Sequence, residues 1–238
     1  MWNVCQKNTT PAGSYGTSLK KLLCSISWLT TTDEDESPLN RVVEYKHYLT
    51  QRCFAFLQIT SSWDEAVHND LVFFLSVDGT HCPIEEPRPF STEWSSFKLG
   101  GKPGVNYEIG LSIKESKLVW VNGPTAPGAH NDLTVFRQRL KGQLPPGKRV
   151  IADKGYSGEQ EFISIYNDLD PREVAAFKER VCARHETFNK RVKIFDCMTK
   201  QFRHGVDNHK IAFEAICVLI VLEFEDSPLF DAWAFNEE

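Results

Sequence analysis

Apolar residues change their spacing several times along the chain, and each change marks an element. The segment LVFFLSVD at 71–78 is apolar almost throughout, the pattern of a central strand, and it predicts that Asp78 stands where the strand gives way to Gly79 and Thr80. Residues 105–113 alternate, with Val105, Tyr107, Ile109, Leu111 and Ile113 on one side, which predicts a strand with a single buried face. A turn at 114–116 leads into KLVWVNG, and the three runs together read as an antiparallel meander.

Beyond the loop PTAPGAH, residues 132–140 carry Leu133, Phe136 and Leu140 on one helical face, with Asn131 or Asp132 as the capping residue. RVIA at 149–152 predicts a short strand closed by Asp153, and the residues that follow have no strong period. Val181, His185, Phe188, Val192 and Phe195 then recur at helical spacing, one stripe of an amphipathic helix. Residues 209–223 are apolar nearly all round and predict a buried helix. The order of strands and helices predicts a mixed α/β domain over 71–230. Residues 1–70 are polar and irregular, with a helix predicted over 39–59 and no clear DNA-reading domain.

Composition narrows the class of protein. The chain has 238 residues, 41% hydrophobic and 25% charged, which is ordinary for a globular domain and argues against disorder. Seven cysteines, an odd number without a CxxC pair, suit reduced thiols inside a cell. No apolar run reaches the roughly 20 residues needed to cross a bilayer, and no targeting signal is legible, so a soluble intracellular protein is expected. A net charge of −5 excludes a surface that is basic all over, so any grip on nucleic acid must be local. Residues 178–210 supply that locality, with nine Lys and Arg against four Asp and Glu.

The chemistry is carried by acids. Asp78 and Asp153 each close an apolar strand, where a charge must be solvated, paired or metal-bound. Glu186 follows a stripe residue of the later helix and lies at the margin of its buried face, within reach of the strand ends. Three converging carboxylates are hard oxygen ligands suited to Mg²⁺ or Mn²⁺, ions that in pairs assist phosphodiester cleavage. Singly, Asp78 and Asp153 also suit turns and Glu186 an ion pair with Lys190; the set carries the expectation.

SVDGTHCPI, YEIGLSI, WVNGPTAPGAHNDLTVFR, VIADKGYSG and ARHETFNKRVKIF occur in the order seen in the DDE endonuclease domains of PIF/Harbinger-type transposases, and the chain resembles that family over 71–229. The resemblance implies an RNase H-like fold, three antiparallel strands followed by parallel ones with helices on the flanks. It assigns Asp78, Asp153 and Glu186 as catalytic, metal-holding residues of a Mg²⁺-dependent enzyme that cuts DNA and joins the freed 3′ end to a target. Asp132 of PGAHND stays open as a further metal ligand, with a capping role as the alternative. Lys154, Arg184, Lys190, Arg191 and Lys193 are the expected contacts to the DNA backbone. His185 is read as a packed helix residue; His81 and His130 are candidates for a hydrogen bond to a catalytic carboxylate or to phosphate.

Such a transposase would be nuclear in a eukaryotic cell, with DNA as partner, a separate DNA-binding protein supplying sequence reading in trans, and a homo-oligomer left open. Two other functions compete. One is a catalytically inactive, transposon-derived module that binds DNA or protein; the other is an unrelated metal hydrolase, recognisable by activity on small phosphate esters and none on DNA.

Overall fold

The computed structural model describes residues 59–68, 71–89 and 91–233. The helix predicted over 39–59 lies outside the described residues, apart from Ile59 at its end.

The core is a five-stranded sheet in the order β3-β2-β1-β4-β5, built from β1 (Phe73–Pro83), β2 (Gly104–Ser112), β3 (Leu118–Thr125), β4 (Arg149–Ala152) and β5 (Ile163–Ser164). β1, β2 and β3 form the predicted antiparallel meander, whereas β4 runs parallel to β1 and β5 parallel to β4. Between β1 and β4 the chain passes through β2, β3 and the helix Asp132–Gln138, and between β4 and β5 through a single 3₁₀ turn, Lys154–Tyr156. This is the mixed, helix-flanked sheet of an RNase H-like α/β fold.

Among the described residues five helices flank the strands: α1 (Ile59–His68), α2 (Asp132–Gln138), α3 (Arg172–Val192), the single turn α4 (Asp196–Thr199) and α5 (Val206–Glu223). One sheet face packs Phe74, Leu75, Val77, Val150 and Ala152 against Trp63 of α1 and Phe136 of α2. Trp63 meets Phe74 edge-on at 5.8 Å, so α1 belongs to the same core as the sheet although it precedes residue 71. On the opposite face Ile113 and Ile151 pack against Val181 and Phe177 of α3, and Tyr107 stacks on Phe213 of α5 at 3.7 Å.

Four expectations change. β1 continues to Pro83, so Asp78 lies inside the strand rather than at its end. β2 is buried along its whole length, because its polar alternates Asn106 and Glu108 are covered too, as part of a polar cluster below α2. α3 begins at Arg172, directly after Pro171, in a stretch without apolar period where Lys178 is buried and paired with Asp170 at 2.7 Å. Phe195 falls beyond the end of that helix. All four cysteines among the described residues are free, and no helix among them is long and apolar enough to cross a membrane.

Candidate active site

The ladder between β1 and β4 ends at the pair Val77↔Ala152, so Asp78 and Asp153 are each the next residue along two adjacent parallel strands. Parallel neighbours lie about 4.8 Å apart, and this register brings the two acids side by side. β1 runs on beyond this point while β4 stops. The missing strand leaves a cleft of about 380 Å³, lined by Asp78, Gly79, Lys98, Asp153, Glu186, Asn189, Lys190 and Lys193.

Helix α3 forms one wall. Glu186, Asn189, Lys190 and Lys193 stand three, four and seven positions along from the first, which puts them on one helical face. The wall is docked onto β1 by two side-chain pairs. His185 Nδ1 lies 2.9 Å from Ser76 Oγ, and Asn189 Nδ2 donates to Asp78 Oδ2 at 2.8 Å. One helical turn of four residues rises about 6 Å and two strand residues about 6.6 Å, so the i, i+4 pair on α3 matches the i, i+2 pair on β1. His185 is thus the packed residue the stripe predicts; burial, with the Arg184 charge beside it, holds its imidazole neutral with a pKa of about 3.

Backbone amides fix the two aspartates. Gly79 N–H donates to Asp78 Oδ1 at 2.7 Å, and Gly155 N–H donates to Asp153 Oδ1 at 2.9 Å, where Asp153 caps a short 3₁₀ turn. Burial raises the Asp78 carboxyl to a pKa of about 6; Lys98 opposes the rise and the charge of Asp153 reinforces it. Glu186 is exposed at the cleft margin, as its place one residue after the stripe predicts.

Asp132 occupies the other side of β1. Asn131 is the helix cap, accepting from Thr134 N–H, which frees the Asp132 side chain to turn inward. There Asp132 accepts from Asn106 Nδ2 and from Lys98 Nζ, both at 3.0 Å, while His81 Nε2 stands 4.0 Å away, too far for a hydrogen bond. Burial alone would raise this carboxyl, but the neighbouring His81 and Lys98 hold it down at about 2. A Cβ at position 79 would lie 2.5 Å from Asp132 Oδ1, so the glycine after Asp78 is a packing requirement. His81 itself is tied through Nδ1 to Ser96 Oγ at 2.7 Å. For His130, Nδ1 is buried with no hydrogen-bond partner among the described residues.

Lys98 and Asn189 are cleft residues that sequence reading missed. The Lys98 ammonium pairs with Asp132 and lies 3.5 Å from the Gly79 carbonyl oxygen; burial would lower its pKa, but Asp132 above all, then Asp78 and Asp153, raise it. Lys98 comes from an irregular segment between β1 and β2, where neither period nor motif marks it.

Of the basic residues expected at DNA, Lys190 and Lys193 line the cleft and Lys154 is exposed beside Asp153. Arg184 is a correction: it is buried, and its guanidinium donates to the main-chain oxygens of Ser112, Glu115 and Phe230, tying α3 to the β2–β3 turn and to the segment after α5. Arg191 likewise turns toward the protein, donating to Ser227 O at 2.8 Å and standing 3.9 Å from Glu223.

The donor set around the cleft is one of hard oxygen ligands, the chemistry that Mg²⁺ and Mn²⁺ select. Among the described residues no three Asp, Glu, His or Cys side chains stand within joint coordinating reach as placed. Glu186 is exposed on the rim of the cleft that Asp78 and Asp153 also line.

The mixed sheet sets Asp78 of β1 beside Asp153 after β4, and Glu186 of α3 lines the same cleft, in an RNase H-like α/β domain. Residues 77–220, more than half of the chain, match the DDE superfamily endonuclease family, and the chain belongs to it. No curated protein and no solved structure matches the chain.

Proposed function

We propose that this chain is the catalytic domain of a PIF/Harbinger-type transposase, a Mg²⁺- or Mn²⁺-dependent DNA endonuclease and strand transferase with Asp78, Asp153 and Glu186 as its catalytic acids. The reading is supported above all by one observation: these three residues, distant in sequence, line a single cleft. Because α1 packs into the sheet core, we assign the endonuclease domain to 59–230 rather than 71–230.

Asp78, Asp153 and Glu186 would hold the divalent ions, whose contribution when bound is to polarise the scissile phosphate and its attacking and leaving oxygens. The chain's own residues do the rest. Gly79 N–H and Asn189 each take one oxygen of Asp78, and Gly155 N–H takes one oxygen of Asp153, so both carboxylates are oriented before substrate arrives. Lys190 and Lys193 put positive charge on the α3 wall, suited to the DNA backbone flanking the cut; Lys154 does the same beside Asp153. Asp132, with one oxygen on Asn106 and the other on Lys98, acts as an anchor for that lysine rather than as a metal ligand. Sequence reading would come from a separate DNA-binding partner, and the site of action would be the nucleus of a eukaryotic cell.

The test is nicking of supercoiled plasmid in Mg²⁺ or Mn²⁺ by the full chain. Asp78→Asn, Asp153→Asn and Glu186→Gln should each abolish nicking while circular dichroism is unchanged. Wild-type nicking by Asp153→Asn would sink the assignment. DNA binding without nicking in either metal would favour the non-catalytic module, and hydrolysis of small phosphate esters alone would favour an unrelated hydrolase.

A further inference from the structure

We propose that the tight turn at 96–101 is a DNA-gripping element of this site, with Lys98 binding the scissile phosphate and Phe97 stacking on a base beside it. The inference rests on the nuclease reading above and adds two substrate-contacting residues to it.

The turn is built to be stiff. Ser96 caps it, accepting from Leu99 N–H, and Gly100 closes it in the left-handed region with φ 68°. Ser96 is completely buried and its hydroxyl meets His81 Nδ1 on β1, while Ser95 Oγ donates to Gly101 O at 2.9 Å. The two residues at its tip therefore project from a fixed base.

Lys98 points into the cleft. An ammonium has three donors, and among the described residues Lys98 commits one to Asp132 and aims one at the Gly79 carbonyl, leaving a donor for an incoming oxygen. Its side chain is 44% exposed, open to a ligand from the cleft side. The chemistry it suits is a phosphodiester anion, which would come to rest between this ammonium and the acids. Asp132, buried and doubly bonded, is the positioning residue that keeps the ammonium there.

Phe97 is 96% exposed, the most exposed large hydrophobic side chain of the described residues, immediately before the lysine that lines the cleft. A phenyl ring held in water on a stiff turn gains nothing for the fold. Next to a phosphate-binding cation it offers the flat apolar face on which an unpaired base stacks, a mode that tolerates any sequence.

The experiment measures binding of the full chain to short fluorescein-labelled DNA, one duplex intact and one with a single-nucleotide gap, by anisotropy in EDTA across a salt series. Lys98→Gln, which keeps a hydrogen-bond donor for Asp132 but removes the charge, should weaken both duplexes about tenfold and lower the slope of log affinity against log salt by about one. Phe97→Ala should weaken the gapped duplex at least about fivefold and the intact one less, with Phe97→Trp restoring the difference. Phe97 is exposed, so thermal melting should not move with Phe97→Ala; Lys98→Gln gives up the ion pair with the buried Asp132 and should melt lower, so binding is read at a temperature where circular dichroism shows both variants folded. Wild-type affinity and salt slope in Lys98→Gln, or an unchanged preference for the gap in Phe97→Ala, overturns the proposal. If wild type binds and nicks DNA while these variants match it, only this inference falls; a wild type that neither binds nor nicks DNA removes the nuclease reading with it.

Discussion

The side-chain amide of Asn189 holds Asp78 from 111 positions away in sequence, donating 2.8 Å to the carboxylate oxygen that Gly79 leaves free. This bond joins the helical wall of the cleft to the central strand. It fixes the angle at which Asp78 faces Asp153. An outer partner of this kind orients a ligand without touching substrate, and its removal is felt as weakened metal binding.

Asn189→Ala should therefore raise the Mg²⁺ concentration needed for half-maximal nicking by about 10- to 100-fold. Circular dichroism should remain native. A metal titration of nicking rate checks this, and an unchanged midpoint would show that Asp78 needs no partner on α3.

Asp78→Asn should separate stability from activity. The Asp78 carboxyl is raised from 3.8 to about 6 in the folded chain by burial, against Lys98 and with help from Asp153 and Asp132. Its neutral form is favoured by folding, so its contribution is full below pH 3.8 and is lost as pH rises through about 6. At pH 7 the ionised group is a cost, and the asparagine, which removes the charge, should stabilise the metal-free chain by about 1 kcal/mol after allowance for solvent screening. Asn189 can turn its amide over to accept from the new side chain, since its Oδ1 is buried without a partner. Denaturant melts at pH 5 and pH 7 check the sign: the gain should be larger at pH 7.

Arg184 and Lys193 should part company although both were expected at DNA. Arg184→Ala strips donors from three main-chain oxygens in a buried position and should cost about 2–4 kcal/mol of stability. Lys193→Ala should stay within about 0.5 kcal/mol of wild type yet reduce the salt slope of DNA binding by about one. Urea melts and salt-dependent anisotropy read the two effects separately.

Gly79→Ala places a methyl group 2.5 Å from Asp132 Oδ1. Either the strand or the Asp132–Lys98 pair must move, and a cost of about 1–3 kcal/mol is expected, with nicking reduced because Lys98 shifts with Asp132. A thermal melt with the same plasmid assay checks both halves.

The meander, α2, β4, the second half of α3 and α5 were legible, from clean apolar periods or, for α5, from an apolar run too long for a strand. Asp153 and Glu186 could be placed from strand and helix phase alone. The extent of β1 was misread since Asp78, Gly79 and Thr80 look like a strand terminus in sequence, while β2 in fact continues to pair with all three. The burial of Asn106 and Glu108 was not legible either: polar alternates usually face water, and only the arrival of α2 with Asp132 gives them an interior to face. Lys98 and the inward turn of Arg184 depend on long-range partners, Asp132 for one and main-chain oxygens near residues 112, 115 and 230 for the other. Neither leaves a periodic trace.

β4 has four residues where β1 has eleven. Were two or three residues inserted after Ala152 to prolong the shorter strand, its backbone would fill the notch and Asp153 would be carried away from Asp78. Whatever reactivity this domain possesses thus depends on an early stop in one strand. An inserted pair of β-branched residues after Ala152 would be expected to seal the opening while leaving the hydrophobic layers intact.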